Sequence, residues 1–272
     1  MLKRTLTALG LAVVGLPAII YGGVFYYLLM AVVLAGSAWE YIRLYRVVRY
    51  EANELVTIGG VLAIATARFF FAEVSIPILV FFVLLAMTVH IFAYERGRDL
   101  AGLDFTVTVA GIVYLGWIGS YLIDLRQLPQ GLWWLLIVLP IIWAGDTGAY
   151  SLGAAYGKHK MTPRLSPKKS WEGYVAGVFT SMIVGAFFAY AFSTLDPRPL
   201  DGLITPLQGG LLGLVIGALA PLGDLGESML KRQGGLKDSS NIFPGHGGFF
   251  DRIDSWIWGA ALGFFIIQFF IL

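Results

Sequence analysis

The sequence predicts an all-α integral membrane protein, a polytopic bundle of about nine transmembrane helices. Of its 272 residues 58% are apolar and only 13% are charged, against roughly 25% charged residues in soluble domains. Nine spans of about 20 residues, each crossing about 30 Å of hydrocarbon, would use about 180 residues. The remainder suffices for loops only, so we expect a single integral membrane domain over residues 1–272. This composition excludes a soluble globular enzyme, a disordered tail and a nucleic-acid-binding module.

The predicted helices are the apolar runs between glycine, proline and charged clusters. The first run follows Lys3 and Arg4 and resembles a signal peptide. No small-x-small cleavage site follows it, so we interpret it as a retained helix. The nine helices are predicted at 5–21, 24–46, 55–71, 74–94, 104–124, 131–154, 171–194, 206–230 and 253–271.

Lysine and arginine are distributed very unevenly over the loops that these helices define. Sixteen of the 19 fall on the side of the N-terminus, Arg126 and Arg198 fall on the other side, and Arg68 lies within a span. By the positive-inside rule the rich side is cytoplasmic, so the N-terminus is inside and the C-terminus outside. The compact chain favours a bacterial inner membrane. Both longer loops, 156–170 and 231–252, lie on the cytoplasmic face, where we expect the active site.

A first polar cluster begins with Asp146, an acid within the sixth predicted span. An ionisable residue there costs about 3 kcal/mol and is kept where it meets a cation, a cavity or water. Lys168 and Lys169 follow in the next loop. They are interpreted either as a positively charged anchor at the lipid headgroups or as a cationic loop that binds phosphate.

A second cluster lies at the end of the eighth predicted helix. Asp224, Glu227, Ser228 and Lys231 are spaced i, i+3, i+4 and i+7, so they share one helix face, which is too polar to face lipid. An intrahelical pair between Glu227 and Lys231 would partly neutralise this face and is the alternative interpretation.

A third cluster combines a glycine-rich segment, 244–248, with two acids at the entry to the last helix. The glycines around His246 allow the backbone to approach a ligand and to present N–H groups to oxyanions. Asp251 and Asp254 offer oxygen ligands, which suit Mg²⁺. The chain has no cysteine and three histidines, which argues against zinc and excludes thiolate chemistry. Carboxylates, cations and a glycine-rich loop together favour a phosphoryl or nucleotidyl transferase.

Residues 228–254 resemble the signature of the CDP-diacylglycerol synthase family, the phosphatidate cytidylyltransferases. The matching positions are Ser228, Leu230, Lys231, Arg232, Lys237, Asp238, Pro244, Gly245, His246, Gly247, Gly248, Asp251, Arg252, Ile253 and Asp254. Residues 145–150 and 166–173 are similar to a second family motif, with Ser170 where threonine is common. The resemblance covers about 140–260 strongly and 1–125 by hydropathy alone.

This resemblance implies that CTP and phosphatidate give CDP-diacylglycerol and pyrophosphate. It further implies a dimetal centre of Mg²⁺ and a second cation, K⁺ in some family members, held by Asp146, Asp224, Asp251 and Asp254. The implied catalytic residues are Lys168, Lys169, Ser228, Lys231, Arg232, Lys237, His246 and Arg252. Substrate binding is implied for Ser166, Lys168, Lys169, Lys231, Arg232, Lys237, Gly245, His246, Gly247 and Gly248. No protein nucleophile is required, and a homodimer is expected by analogy.

Three other interpretations compete with this one. An ion-coupled transporter would use Asp146 and Asp224 as intramembrane ion sites, but it leaves the glycine-rich loop unexplained. A CDP-alcohol phosphotransferase would need an Asp-Gly-x-x-Ala-Arg motif, which is missing. A catalytically inactive scaffold conflicts with the intact signature.

Overall fold

The fold is described from a computed structural model, which describes residues 2–194, 203–243, 245 and 247–272. The chain divides into two compact units. The first comprises Met1–Asp124 and Leu230–Ile253, and the second comprises Leu125–Met229 and Asp254–Leu272. Residues 230–253, most of the signature segment 228–254, therefore belong to the same unit as the N-terminal helices.

The first unit is built from helices joined by short connections. A one-turn 3₁₀ helix, Ala72–Val74, precedes α4, and a π-helical segment, Ile112–Ile118, follows α5. The helices in chain order are α1 Leu2–Tyr21, α2 Gly23–Val47, α3 Glu54–Phe70, α4 Ser75–Glu95, α5 Ala101–Gly111 and α6 Tyr121–Gln127.

The second unit contains long helices and a small β-hairpin. Its hairpin strands are β1 Lys160–Thr162 and β2 Ser166–Ser170. Its helices are α7 Gly131–Tyr156, α8 Trp171–Thr194, α9 Pro206–Leu219, α10 Pro221–Gln233 and α11 Phe250–Phe270, of which α10 and α11 each contribute one end to the first unit.

All nine predicted segments are helical, which confirms the all-α membrane class, but the count of nine spans is not confirmed. Seven helical stretches of the described chain are long and apolar enough to cross a membrane. The first predicted span lies in α1, in which the residues whose side chains are described include the apolar stretch Ala12–Tyr21. The third, α3, has 17 residues and is about 26 Å long, slightly less than the hydrocarbon thickness.

The β-hairpin is an element that the hydropathy pattern did not predict. Its strands pair antiparallel, with Lys160 opposite Ser170. The connecting turn has Pro163 at its second position, and Leu165 N–H donates to the Thr162 carbonyl at 3.2 Å. Proline fixes the backbone angle that this turn position requires. Because the side chains of this short hairpin are mostly polar, apolar runs in the sequence cannot predict it.

Small residues let the helices of the second unit pack closely. On α8 they recur every fourth position and form one buried ridge of Gly173, Gly177, Ser181, Gly185 and Ala189. A Cβ added to Gly177 would collide with the Gly145 carbonyl of α7, and one added to Gly185 would collide with the Gly209 carbonyl of α9. Backbones in such close contact gain van der Waals attraction, the main source of helix association in lipid.

Arg68, the basic residue that the sequence places inside a span, is neutralised within the first unit. Its guanidinium binds the Asp124 carboxylate of α6, and Arg68 is only 8% exposed. The same guanidinium lies 4.1 Å from the ring centroid of Trp117 and 4.4 Å from that of Tyr121. Salt bridge and cation–π contacts together keep this charge inside the helices.

A second buried acid organises the loop before α5. Asp104 is 1% exposed and accepts hydrogen bonds from Arg98 Nε at 2.7 Å and from Glu51 N–H at 2.7 Å. Hydrogen bonding to Asp104 raises the pKa of Arg98 above its ordinary value. Through its two hydrogen bonds, Asp104 joins Glu51 of the α2–α3 connection to Arg98 of the α4–α5 connection.

We expect Arg68→Ala to lower the free energy of unfolding by about 3–5 kcal/mol, because it leaves the Asp124 carboxylate buried without its cation. Replacing both partners, Arg68→Met with Asp124→Leu, should recover most of that loss, since no unpaired charge is left. Thermal unfolding in detergent measures the effect. The exposed Arg96→Ala serves as the control and should change stability by less than about 0.5 kcal/mol. An unchanged unfolding midpoint in Arg68→Ala would contradict the role assigned to the pair.

Candidate active site

A cavity of about 630 Å³ in the second unit contains many of the predicted site residues. It is lined by α7, the hairpin, α8, α9 and the start of α10. Its apolar lining includes Ile142, Met161, Ile216 and Leu225. Its polar lining includes Asp146, Lys160, Ser166, Lys168, Lys169, Ser170 and Asp224. A cavity with an apolar wall and a few charged groups is typical of a ligand site.

Lys169 and Asp224 form an ion pair in this cavity, with 2.6 Å between Lys169 Nζ and Asp224 Oδ2. Ser228, one turn further along α10, donates to Asp224 Oδ1 at 3.3 Å. Asp146 of α7 lies close enough for the charges of Asp224 and Lys169 to act on it. The hairpin lysine thus supplies the cation that the intramembrane acids were expected to need.

Ser170 is the N-cap of α8. It is 4% exposed, and its hydroxyl oxygen accepts a hydrogen bond from Gly173 N–H at 3.2 Å. Serine and threonine both cap helices well, which explains why either residue fits this motif position. The cap fixes the direction of β2, from which Lys168 and Lys169 reach the cavity.

The donors of this cavity fit a hard divalent cation. Asp146 and Asp224 supply two carboxylates, and Mg²⁺ commonly takes one or two carboxylates and completes its shell with water and substrate phosphates. No group of three His, Asp or Glu side chains placed to hold a metal occurs in the described part of the chain. The described residues therefore do not form a metal site made of protein ligands alone. Asp146 and Asp224 fit a site in which a phosphate supplies the remaining metal ligands.

In the first unit, the loop between α10 and α11, residues 234–249, is held by Glu40 of α2. Glu40 is fully buried. Its Oε1 accepts from the Ser240 hydroxyl at 2.6 Å and from Phe249 N–H at 3.0 Å. Its Oε2 accepts from the Ser239 hydroxyl at 2.8 Å and from Phe250 N–H at 2.8 Å. Glu40 thereby satisfies backbone donors at the start of α11 that have no partner within the helix.

Asp251 fixes the same loop from the start of α11. Lys231 Nζ donates to its Oδ1 at 2.6 Å. Its Oδ2 accepts from Gly248 N–H at 2.8 Å, from Ser239 N–H at 2.9 Å and from the Ser239 hydroxyl at 2.6 Å. That hydroxyl has one proton, so it donates to either Asp251 or Glu40 at any moment. Lys231 and Asp251, predicted as phosphate and metal ligands, thus lie bound to each other.

The glycines of the loop serve two different purposes. Gly245 and Gly247 have φ angles of 79° and 78°, which favour glycine. Gly248 is buried, and a Cβ there would collide with the Glu40 carboxylate. Since its N–H is donated to Asp251, a packing role suits Gly248 better than oxyanion binding. Pro244 and His246 lie outside the described residues.

The remaining predicted site residues are Lys237, Arg252, Arg232 and Asp254, and they do not line the cavity. Lys237 and Arg252 are exposed to solvent. Arg232 is exposed as well and donates to the Leu236 carbonyl at 2.9 Å. Asp254 is half-buried, and its Oδ1 accepts from Ser255 N–H at 2.5 Å. Their roles stay predictions of the family resemblance.

Comparison with known proteins matches this chain to one family. A model described as the cytidylyltransferase family matches residues 2–270. The chain belongs to the cytidylyltransferase family. This match, together with the similar proteins described next, confirms the resemblance of residues 228–254 to the family signature.

The relatives of this cytidylyltransferase include proteins named phosphatidate cytidylyltransferase from several bacteria. The Bacillus subtilis protein is 31% identical over an alignment covering 99% of this chain and 98% of its own. The Pseudomonas aeruginosa protein is 36% identical, over 93% of this chain and 92% of its own. The Haemophilus influenzae protein is 45% identical, but the match covers 53% of this chain and about half, 48%, of that relative.

The sequence patterns of this cytidylyltransferase did not indicate three residues that hold the loop before α11: Glu40, Ser239 and Ser240. A signal for Glu40 was present, because it is an acid within an apolar run, like Asp146. The two serines carry no such signal, since serine is common in loops. Their role follows only from the approach of α2 to the loop.

We expect Gly248→Ala to destabilise the enzyme by about 1–3 kcal/mol, because the new methyl group overpacks against Glu40. Thermal unfolding in detergent measures the change. Gly226→Ala is the matched control: it lies within α10 with open space around it, and alanine there should be neutral or stabilising by up to about 1 kcal/mol. Equal unfolding midpoints for Gly248→Ala and the wild type would rule out the proposed packing.

Proposed function

We propose that this cytidylyltransferase transfers CMP from CTP to phosphatidate, which gives CDP-diacylglycerol and pyrophosphate in phospholipid biosynthesis. The observation that carries the proposal is the family match over nearly the whole chain, joined to a membrane cavity with paired carboxylates and lysines. Membership of a transferase family also decides against the ion-coupled transporter.

The reaction needs positioning and charge stabilisation rather than a protein nucleophile. A phosphatidate oxygen, already anionic near neutral pH, forms a bond to the α-phosphorus of CTP. The bond from that phosphorus to the bridging oxygen breaks, and its electron pair leaves with pyrophosphate. Lys168 and Lys169 line the cavity and offset the phosphate charge that builds up during this exchange. The apolar wall of the cavity suits the lipid substrate.

Asp146 and Asp224 are the residues that would hold Mg²⁺ in this cavity. When bound, Mg²⁺ supplies Lewis-acid stabilisation of phosphate charge. The ion pair with Lys169 and the hydrogen bond from Ser228 orient the Asp224 carboxylate for that purpose. The family resemblance adds K⁺ as a second cation and Asp251 and Asp254 as further ligands.

Purified enzyme in detergent, given cytosine-labelled CTP, phosphatidate and Mg²⁺ with K⁺ present, should produce label that extracts into organic solvent. EDTA and Asp224→Asn should each remove at least about 99% of this activity, because each deprives the triphosphate of its metal. Asp99→Asn, which changes an exposed acid outside the cavity, is the control and should retain full activity.

Two outcomes would contradict the proposal. Folded wild-type enzyme without organic-phase label would contradict phosphatidate as the acceptor. Full activity of Asp224→Asn at limiting Mg²⁺ would contradict the metal role.

We also propose that the enzyme is a homodimer in the bacterial inner membrane, with its N-terminus and catalytic loops cytoplasmic and its C-terminus outside. Several apolar helices and the bacterial relatives support a membrane location. The excess of lysine and arginine on one side supports the orientation. The dimer rests on family analogy.

The chain has no cysteine, so single-cysteine variants can report the orientation. In intact bacteria a membrane-impermeant maleimide should label Leu272→Cys and leave Asp238→Cys unlabelled, because only the C-terminus is outside. Permeabilised cells are the control, in which both variants should react. The opposite pattern in intact cells would overturn the proposed orientation.

A further inference from the structure

The α10–α11 loop is closed at its base by hydrogen bonds from both of its ends to one carboxylate. Ser239 and Ser240 precede the loop tip, and Phe249 and Phe250 follow it. Ser240, Phe249 and Phe250 donate to Glu40, which lies about 200 residues earlier in the chain, and the Ser239 hydroxyl shares its proton between Glu40 and Asp251. This arrangement holds the two ends of the segment 239–250 close to each other, at the Glu40 carboxylate.

The surface of α2 around Glu40 is shaped to receive the loop. The Phe249 ring packs directly over Gly36, one turn before Glu40, where a Cβ would overlap the ring. Gly248 approaches the Glu40 carboxylate so closely that it also has no room for a Cβ. Gly36 on α2 and Gly248 in the loop therefore both allow the loop to pack closely against α2.

A carboxylate suits this position better than a neutral amide. Each Glu40 oxygen accepts one backbone N–H and lies within 2.8 Å of one serine hydroxyl, that of Ser239 being shared with Asp251. Glutamine would place an NH₂ group against one of the backbone N–H donors, and two donors cannot pair. Because Glu40 is fully buried, water cannot replace the lost bond.

We propose that Glu40 is a positioning residue for nucleotide binding, which acts by closing the loop 239–250 at the N-terminal end of α11. The inference rests on the proposed function, because the family resemblance implies substrate binding for Gly245 and Gly247, which lie between the two anchored ends of the loop. Glu40 holds the two ends of the loop and thereby positions the residues between them for the nucleotide. The N-terminal helices, which carry none of the predicted site residues, thereby contribute to catalysis.

The test uses full-length Glu40→Gln in detergent. We expect kcat/KM for CTP to fall on the order of 10- to 100-fold with a clear rise in the KM for CTP, because the loop tip is no longer held in place. Amide hydrogen exchange should become faster in 239–250 and stay unchanged in α7 and α8. Glu54→Gln, a surface acid paired with Arg46, is the matched control and should alter neither measurement.

A purely structural role for Glu40 would lower the fraction of active enzyme, so the apparent kcat would fall while the KM for CTP stayed constant. That result would overturn the proposal, as would unchanged exchange in 239–250. If Glu40→Gln does not fold, Ser240→Ala removes one donor to the same oxygen and should shift KM and exchange in the same direction.

The double variant Glu40→Gln with Ser240→Ala should lose less than the product of the two single losses, because both changes break one contact. Fully multiplicative losses would argue against a shared contact. Absence of cytidylyl transfer in the wild type would refute the proposed function and this nucleotide role with it. Faster exchange in Glu40→Gln would then still show separately that Glu40 closes the loop.

Discussion

A carboxylate buried within a membrane bundle must find its hydrogen-bond donors inside the protein, and much of the first unit follows from that constraint. Glu40 has no solvent exposure and takes its donors from the loop before α11. Arg68 and Asp124 meet the same need by pairing with each other, and Asp104 meets it with Arg98 and with the distant Glu51 N–H. In each case one buried charge joins segments that are distant in sequence.

The second unit obeys a different constraint, the close approach of helix backbones. Its small residues recur every fourth position on α8, so the neighbouring helices α7 and α9 can pack at backbone distance. Where α7 and α8 meet the hairpin, the same small residues leave space for a cavity. The charged lining of that cavity comes from elements whose directions are fixed by this packing and by the Ser170 cap.

Several glycines that looked alike in sequence have different physical roles. Gly245 and Gly247 adopt backbone angles that other residues rarely take. Gly248 gives room to a buried carboxylate, and Gly177 gives room to a helix backbone. In the glycine-rich loop, the N–H of Gly248 is already donated to Asp251. Gly248 also allows the loop to reach Glu40.

The sequence by itself determined the membrane class, the positions of the helices and the family. Apolar runs of about 20 residues and a signature of many spaced residues are local properties, which do not depend on how helices pack. It also indicated Asp146 and Asp224 as candidate site residues, since charges are rarely placed in apolar segments without a reason, and Lys169 as part of a cationic loop.

Only the tertiary structure decided which charged groups meet. It paired Lys169 with Asp224 and Lys231 with Asp251, and it showed Glu40 as the anchor of a loop that begins nearly 200 residues later. It also revealed the hairpin, whose few polar residues give no periodic signal. The physical reason is that a hydrogen bond requires atoms about 3 Å apart, and sequence spacing fixes such distances only within one helix or turn.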